Sequence, residues 1–211
     1  GVNERLYLRD RMTSTTVALA HSDFLYSAMT PDGRYIAYYV APQFGVRKLY
    51  IWDTAANAHV YENLITISSL AISPSGRYLT VISSGQLRLI EWQTGINTAI
   101  GPVAAQLRYP VCFSGDERFL VFASTNGQAV LDDTNDVSDV FLYNIESGNK
   151  THISRAFDSD RAANGPSDAP VISHDGRFIA FRSGATDLVD GIDGIWIDIY
   201  LHDRVLDTTT V

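Results

Sequence analysis

The chain has 211 residues, of which 45% are hydrophobic and 19% are charged, so it can build a sizeable core and does not have the composition of a disordered chain. Its formal net charge is −8 and it has no basic stripe, which argues against a nucleic-acid backbone as a partner. No apolar run approaches the roughly 18 residues of a membrane-spanning helix.

Two sequence phrases alternate along the chain. The inner phrase has an apolar run, a polar turn that usually contains glycine, and an alternating strand, and the arginine after its turn recurs at Arg34, Arg77, Arg118 and Arg177. The outer phrase has a strand, a polar turn and a second strand rich in Thr, Val, Ile or Ala, and it begins at Leu6, Leu49, Leu87, Val140 and Ile199. Asp-Gly between two β-type runs indicates a hairpin, because glycine accepts the positive φ of a tight reversal.

The first strand of every outer phrase ends in a residue with a side-chain oxygen: Asp10, Asp53, Glu91, Asn144 and Asp203. A short acceptor at this place can close the turn by accepting hydrogen bonds from backbone N–H groups.

The two phrases together predict four strands per unit. Successive arginines of the inner phrase lie 43, 41 and 59 residues apart, and about 40–45 residues is the period of a four-stranded propeller blade. No segment has a convincing helical periodicity, and a β-sandwich would not alternate two different hairpins so strictly. We therefore predict an all-β fold, a β-propeller of four-stranded antiparallel blades, with strands near 34–40, 49–53, 77–83, 87–91, 118–124, 140–145, 177–183 and 197–202.

The units predict a single propeller segment over residues 1–211. It consists of an outer hairpin and about four blades, at 1–20, 21–65, 66–104, 105–155 and 165–211. Five outer phrases accompany only four inner ones, so the first hairpin has no inner partner of its own. Because unpaired strand edges normally have to be covered, we interpret the chain as a segment of a larger propeller or tandem array; the alternative is a five-bladed ring with one thin blade.

One apolar position of the inner phrase predicts the core. It recurs directly after the aromatic residue that follows each arginine and is expected to have matching burial in all four units, at Ile36, Leu79, Leu120 and Ile179. If these side chains faced solvent, the predicted register would be wrong by one residue.

The phrases resemble a known family. “DAPVISHDGRFIAFRSG”, followed after an insert by “DIYLHDR”, is similar to the TolB-like, WD40-like propeller repeats of bacterial proteins, often called PD40 repeats. The resemblance is strong over residues 109–208 and weaker over 20–105. It implies a toroid of radially packed blades in secreted, periplasmic or surface proteins. It implies no fixed activity, since members include periplasmic partner-binding proteins, gating propellers of serine peptidases and repeats within large surface proteins.

Two acidic inserts suggest a site for a hard cation, which needs clustered oxygen ligands. The first offers Asp132, Asp133, Asn135, Asp136 and Asp139; the second offers Asp187, Asp190, Asp193 and Asp198. The first resembles the family pattern D-x-N-G-x-x-D through Asp133, Asn135 and Asp139, which are the candidate Ca²⁺ ligands, although Asp136 stands where the family usually has glycine. The second departs further. The alternative is that these residues cap turns and keep long loops soluble.

No catalytic motif is present: the sequence lacks G-x-S-x-G, H-E-x-x-H, a P-loop and G-x-G-x-x-G. The histidines lie in different units without ligand spacing and are expected at the surface or in turns: His21, His59, His152, His174 and His202. The single cysteine, Cys112, precludes an intrachain disulfide, and its apolar neighbours favour a buried, unreactive thiol. Trp196, in the second insert, is a candidate anchor for a partner, with core packing as the alternative.

These observations predict a non-enzymatic interaction or structural module of a larger bacterial protein, which binds another protein or other domains of its own chain. Apart from the possible Ca²⁺, no cofactor is expected. The resemblance implies an extracellular, cell-surface or periplasmic location. Two alternatives remain: the gating propeller of a serine peptidase whose hydrolase domain lies elsewhere, and a lyase or glycan-binding propeller that uses a central channel.

Overall fold

The structure is a computed structural model that describes residues 4–22, 25–103, 111–125, 137–191 and 197–211. The described residues form eighteen β-strands in five antiparallel sheets, and none of them forms a helix. No helix able to cross a membrane therefore occurs in this part of the chain. The all-β prediction is confirmed, and each of the eight predicted strands is present with both ends within one residue of the expected position.

The five sheets follow one another along the chain. A two-stranded hairpin comes first, with β1 (Glu4–Asp10) and β2 (Thr15–Ser22). The first blade contains β3 (Leu25–Met29), β4 (Tyr35–Val40), β5 (Lys48–Asp53) and β6 (Ala58–Leu64). The second contains β7 (Ser69–Ile72), β8 (Tyr78–Ser83), β9 (Gln86–Glu91) and β10 (Ile96–Pro102).

The last two blades have the same order. The third blade contains β11 (Cys112–Phe113), β12 (Phe119–Ser124), β13 (Asp139–Asn144) and β14 (Lys150–His152). The fourth contains β15 (Ser167–Ile172), β16 (Phe178–Ser183), β17 (Asp198–Asp203) and β18 (Thr208–Thr210). In each blade every strand pairs with its neighbours in sequence, so all connections within a blade are hairpins.

The inner turns owe their shape to local side chains. In the first blade Thr30 Oγ1 donates to Asp32 Oδ1 at 2.6 Å, and the same oxygen accepts the N–H of Arg34 at 2.9 Å. Gly33 lies between them at φ +73°, a conformation that glycine adopts without strain. The third and fourth blades repeat the hydroxyl-to-aspartate bond at Ser114–Asp116 and Ser173–Asp175. Hydrogen bonds between residues only a few positions apart therefore fix the shape of the turn.

The core lies between consecutive blades. We call the face that a blade turns toward the following blade its forward face, and the opposite face its backward face. At the first interface, the forward face of the first blade contributes Ala37, Tyr39, Leu49 and Ile51. The backward face of the second blade contributes Leu79, Val81 and Ile90. The predicted core position is confirmed, since all four of its residues are at most 5% exposed: Ile36, Leu79, Leu120 and Ile179.

The second and third interfaces are built in the same way. Ile82, Leu87 and Leu89 of the second blade meet Leu120, Phe122, Phe141 and Tyr143 of the third. Val121, Val140 and Leu142 of the third blade meet Ile179, Phe181 and Tyr200 of the fourth. Cys112 packs partly buried against this last cluster, and burial raises the pKa of its thiol, which keeps it protonated and poorly reactive.

Candidate interaction surface

The forward face of the fourth blade differs from the other three. Its outer strand β17 carries Ile199 and Leu201 at the repeat positions of Val140 and Leu142 in the third blade. Val140 and Leu142 are 0% and 2% exposed, whereas Ile199 and Leu201 are 64% and 42% exposed. The same side-chain chemistry is thus core in one blade and surface in the next.

The open face extends over three strands. Val171 on β15, Ala180 on β16 and Leu201 on β17 lie side by side in the hydrogen-bonded ladder. The neighbouring row contains Ile199 and an ion pair in which Arg182 donates to both oxygens of Asp168 at 2.8 Å. The charges of this pair compensate each other, so the face is mainly apolar and locally neutral.

A second contact joins consecutive blades at their inner turns. The ring of Tyr35 in the first blade lies against Gly76 in the turn of the second, so close that a Cβ there would come within 2.4 Å of the ring. Trp92 packs edge-on against Tyr35 with 5.8 Å between ring centroids, and its Nε1 donates to the carbonyl of Gly76 at 2.6 Å. The Tyr35 ring, the backbone of the Gly76 turn and the Trp92 side chain that covers them thus form one contact between the blades, which we call the inner joint.

The joint recurs at the third interface with different residues. The ring of Phe119 lies against Gly176, where a Cβ would come within 2.5 Å of it. Arg204, at the repeat position of Trp92, places its guanidinium 4.0 Å from the Phe119 ring centre and donates to the carbonyl of Gly176 at 2.6 Å. Arg204 was missed from the sequence because nothing in a single arginine distinguishes this use from a surface position.

At the second interface a glutamate replaces the turn glycine. Glu117 has φ +57° and its carboxylate accepts bonds from the N–H and, at 2.8 Å, the hydroxyl of Ser75 in the preceding blade. Ile145, at the repeat position of Trp92, and Tyr78 both pack, partly buried, against the core cluster of this interface. A carboxylate bond between the turns thus takes the place of the close glycine–ring contact.

The arginine of the inner phrase pairs with the acid that ends the outer strand. Arg34 donates to Asp53 at 2.6 and 2.8 Å, and this pair lowers the pKa of Asp53 to about 2. Arg177 lowers the pKa of Asp203 to about 2 in the same way. Both acids also accept two backbone N–H bonds, as the sequence predicted, but the arginine partner was not predicted.

The first hairpin has the backbone hydrogen bonds of this arrangement but not its ion pair. Asp10 accepts the N–H bonds of Met12 and Thr13 at 2.8 and 3.2 Å, yet no arginine of the described chain forms an ion pair with it. The hairpin packs on the backward side of the first blade, where Tyr38 Oη donates to the carbonyl of Leu19 at 3.4 Å. It therefore occupies the outer part of a blade position without an inner part.

A cavity with a volume of about 390 Å³ lies beside the outer strands of the fourth blade. Arg155 in its wall donates to Asp160 and Asp207 at 2.6 and 2.7 Å. His202 is buried there, bonds Thr209 at 3.1 Å, and has its pKa lowered by that burial. These polar groups therefore bond one another within the wall.

A buried cluster in the third blade was also missed. Ser154 Oγ donates to Asp139 Oδ1 at 2.7 Å and accepts the N–H of Val140 at 3.0 Å, while His152 Nε2 lies 3.2 Å from both side-chain oxygens. Because the serine proton points to the aspartate and the group is buried, the cluster fastens strand β13 to the segment after β14. The expectation that the histidines lie at the surface is wrong for His152 and His202, which are 7% and 4% exposed.

The predicted metal ligands are only partly described. Asp133 and Asn135 lie outside the described residues, as do Asp132, Asp136, Asp193 and Trp196. Asp139 is fully buried, and its Oδ2 has no hydrogen-bond partner among the described residues. In the second insert Asp187 instead accepts the N–H of Asn164 at 2.9 Å and pairs with Arg161 at 2.7 Å.

The second insert thus does not gather its described acids into a cation site. No group of three or more His, Cys, Asp or Glu side chains in the described ranges could hold a metal ion. Asp187 holds the segment between the third and fourth blades, which is a structural use of an acid that the sequence had offered as a ligand.

No protein-family model matches this sequence, and no curated protein matches it. Solved structures do. TolB from Acinetobacter baumannii is 15% identical with a TM-score of 0.58, over 98% of this chain and 48% of that one, so the chain spans about half the length of that protein. The β-propeller domain of the Trilobed protease from Pyrococcus furiosus is 12% identical with a TM-score of 0.59, over 96% of this chain and 62% of that one.

Oligogalacturonate lyase from Vibrio parahaemolyticus is 16% identical with a TM-score of 0.57, over 99% of this chain and 58% of that one. Identities this low show the fold alone, and the names of the three proteins do not point to a shared function. By its fold this chain is a TolB-like β-propeller built of four-stranded blades.

Proposed function

We propose that the chain is a rigid, non-enzymatic propeller module of a larger bacterial protein at the cell surface, in the periplasm or secreted. It binds another protein or other domains of its own chain. The open forward face of the fourth blade is the observation that carries this proposal. Contiguous apolar surface that is rimmed by polar residues is typical of a protein interaction site, and this face has the chemistry that three neighbouring faces bury.

The charged clusters of the described residues are consistent with a binding role. Arg155 donates a hydrogen bond to Asp207 in the cavity wall, where His202 bonds Thr209. In the buried cluster Ser154 donates a hydrogen bond to Asp139. A nucleophilic serine would need an opening to substrate as well as a base. Ser154 is fully buried and has no such opening among the described residues.

The test is the association of the 211-residue chain in solution. Without its partner the open face should drive self-association, so the weight-average mass from light scattering should rise with protein concentration. The double variant Ile199→Lys, Leu201→Lys should lower this mass toward that of the monomer. Val205→Lys is the control, because Val205 is also exposed but lies in the turn after β17, outside the face. A wild-type chain that stays monomeric at all concentrations would contradict the proposal.

Trp196 is proposed as a further anchor for the same partner, because it precedes Ile199 by three residues in sequence. Aromatic anchors carry a large share of binding energy at interfaces. Trp196→Ala should then reduce self-association without changing the melting temperature. A fall in melting temperature with unchanged association would instead indicate core packing.

A second candidate function is the gating propeller of a serine peptidase, which the likeness to the propeller domain of the Trilobed protease favours. It would require a hydrolase domain elsewhere in the full protein. Labelling of the full-length protein by a fluorophosphonate serine probe would favour this candidate. A polyanion-binding role like that of an oligogalacturonate lyase is less favoured, because a chain of net charge −8 repels such a substrate.

Calcium binding by the first insert remains a proposal. Asp133, Asn135 and Asp139 would be the ligands, and the unpaired buried Oδ2 of Asp139 supports it, since an isolated buried carboxylate oxygen is costly. Calorimetric titration with Ca²⁺ should give heat in the wild type and none in Asp133→Asn. The matched variant Asp190→Asn, in the second insert, should bind as the wild type does. Absence of heat and of any thermal shift at millimolar Ca²⁺ would leave only turn capping.

A further inference from the structure

We infer that the cavity beside the outer strands of the fourth blade is a binding site for an alkylguanidinium group, carried by a small molecule or by an arginine side chain. The site is separate from the open forward face and goes beyond the function proposed for that face. Its volume of about 390 Å³ lies within the range of about 300–1,000 Å³ that is usual for small-ligand sites. The cavity is formed where residues 153–160, which follow β14, meet the loop 188–190 and the β17–β18 hairpin.

The charges of the lining favour a cation. The lining contains one arginine, Arg155, and three aspartates, Asp160, Asp190 and Asp207. Arg155 donates to one oxygen of Asp160 and one of Asp207, at 2.6 and 2.7 Å, so the second oxygen of each has no bond to a described residue. Asp190 forms no ion pair with any described residue. This excess of carboxylate attracts a cation and repels an anion.

A buried histidine provides an unused hydrogen-bonding atom. His202 lines the cavity and is 4% exposed, and its Nδ1 lies 3.1 Å from Oγ1 of Thr209. Its Nε2 has no hydrogen-bond partner among the described residues, because the Asp207 oxygen at 3.7 Å is too far away. In the tautomer whose Nδ1–H donates to Thr209, Nε2 is an acceptor for an N–H of a guanidinium. Burial lowers the pKa of His202, so the imidazole is neutral at pH 7 and does not repel a cation.

The third blade has no such polar groups at the same repeat positions. Tyr143, at the position of His202, belongs to the apolar core cluster of the second interface. Asp207 has φ +51°, and the second and third blades have glycine at this place in the turn, Gly95 and Gly148. The turn therefore does not need a carboxylate. A histidine in a core position and an aspartate in a glycine position both line the cavity, which favours a polar binding site over a packing defect.

The rest of the lining suits an alkyl chain and a flat cation. Ile153, Ala156 and Leu188 are at most 5% exposed and form an apolar wall, and Phe157 adds an aromatic ring that is half exposed. Aromatic rings attract guanidinium groups, and carboxylates bind the paired N–H donors of this group. A metal ion matches the cavity less well, because no group of three or more His, Cys, Asp or Glu side chains among the described residues could hold one.

The test is a calorimetric titration of the 211-residue chain with N-butylguanidinium and with N-butylurea, which has the same shape but no charge. We expect a dissociation constant of about 1 mM or less for the guanidinium. The urea should bind roughly tenfold more weakly or worse, because hydrogen bonds between charged groups are stronger than neutral ones. Equal binding of the two probes, or no heat from the guanidinium at millimolar concentration, would overturn the inference.

A peptide identifies the source of the guanidinium. The capped tripeptide Gly-Arg-Gly should bind at least as tightly as N-butylguanidinium if the natural ligand is an arginine side chain of a protein. Exclusion of the peptide, with binding of N-butylguanidinium retained, would identify a free small molecule.

Two variants locate the binding in the cavity. Asp207→Asn keeps a residue that tolerates positive φ, as Asn57 does in the first blade, and His202→Tyr introduces the side chain that the third blade has at this position. Each should weaken binding of the guanidinium by roughly tenfold or more, and thermal unfolding checks that each variant is folded. The matched control is Asp158→Asn, which removes the same charge outside the cavity and should bind as the wild type does.

Two results would overturn the assignment to the cavity. If Asp158→Asn weakens binding as much as Asp207→Asn, general attraction to an acidic chain explains the heat. If the double variant Ile199→Lys, Leu201→Lys loses binding, the probe sits on the open forward face. Unchanged binding in this double variant is the expected result, and it keeps the outcome independent of the self-association that tests the proposed function.

Discussion

The third and fourth blades carry the same kinds of residue at the same repeat positions, but they use them differently. Val140 and Leu142 are buried in the third blade, while Ile199 and Leu201 are exposed in the fourth. Their strands have the same length and the same pairing. The difference is that a described sheet covers this face of the third blade, whereas no described sheet covers the same face of the fourth. In this fold the burial of a side chain is decided by the neighbouring sheet, because each blade is only one sheet thick.

The largest expected contrast is in the energetic cost of truncating equivalent leucines. Leu142→Ala removes a fully buried side chain and should lower the free energy of unfolding by about 2–5 kcal/mol. Leu201→Ala should cost less than about 1 kcal/mol, since surface substitutions usually have small effects. Urea denaturation followed by tryptophan fluorescence measures both. Equal losses would mean that the fourth blade's face is covered in solution.

The inner turns give the next contrast. Gly76 and Gly33 both have positive φ, at +80° and +73°, so alanine at either place should cost about 1–2 kcal/mol of backbone strain. Only Gly76 touches the ring of a preceding blade, where a Cβ would clash with Tyr35. Overpacking should then make Gly76→Ala about 1–3 kcal/mol more destabilising than Gly33→Ala. Thermal unfolding of the two variants tests this ranking. A Gly33→Ala variant that is less stable than Gly76→Ala would contradict the close contact between Gly76 and the Tyr35 ring.

The smallest contrast concerns pH. The folded pKa of Asp203, about 2, lies below the value of about 3.9 for an unfolded aspartate. The stabilisation is therefore complete above the unfolded pKa and is lost as the pH falls through about 2. Asp203→Asn keeps an acceptor for the backbone bonds, as Asn144 does in the third blade, but loses the charge. It should lower stability at pH 7 and flatten the pH dependence of the unfolding midpoint between pH 4 and 2.

The reciprocal change sharpens the same test. Position 144 is an asparagine, so Arg118 has no carboxylate partner there and forms its ion pair with Asp116, at 2.7 Å, instead. Asn144→Asp should provide the missing partner, raise the unfolding midpoint at pH 7, and lose this gain as the pH falls toward 2. No gain at pH 7 would show that the Asp116 pair already satisfies Arg118.

Much of the fold could be predicted because its signals are local. The hairpin at Asp32-Gly33 is specified by residues no more than five apart, and the alternation after Arg34 sets which side chains face the core. The roles of the candidate site residues were harder to predict. Asp187 looked like a cation ligand in the sequence, but it binds the segment before the fourth blade, 23 residues earlier in the chain. Charge spacing alone does not show which partner a carboxylate finds.

The sequence by itself determined the blade: its four strands, its turn geometry and its register follow from alternation, glycine placement and short-range hydrogen bonds. Only the tertiary structure decided what each blade face does. Arg204 covers the Phe119 ring, Glu117 bonds the Ser75 turn, and Ile199 is exposed because no sheet of the described residues lies over it. The physical reason is distance along the chain. Turn hydrogen bonds form between near neighbours in sequence, whereas the contacts of Glu117 and Arg204 join residues 42 and 85 positions apart in different blades. The local pattern within one blade does not specify such partners.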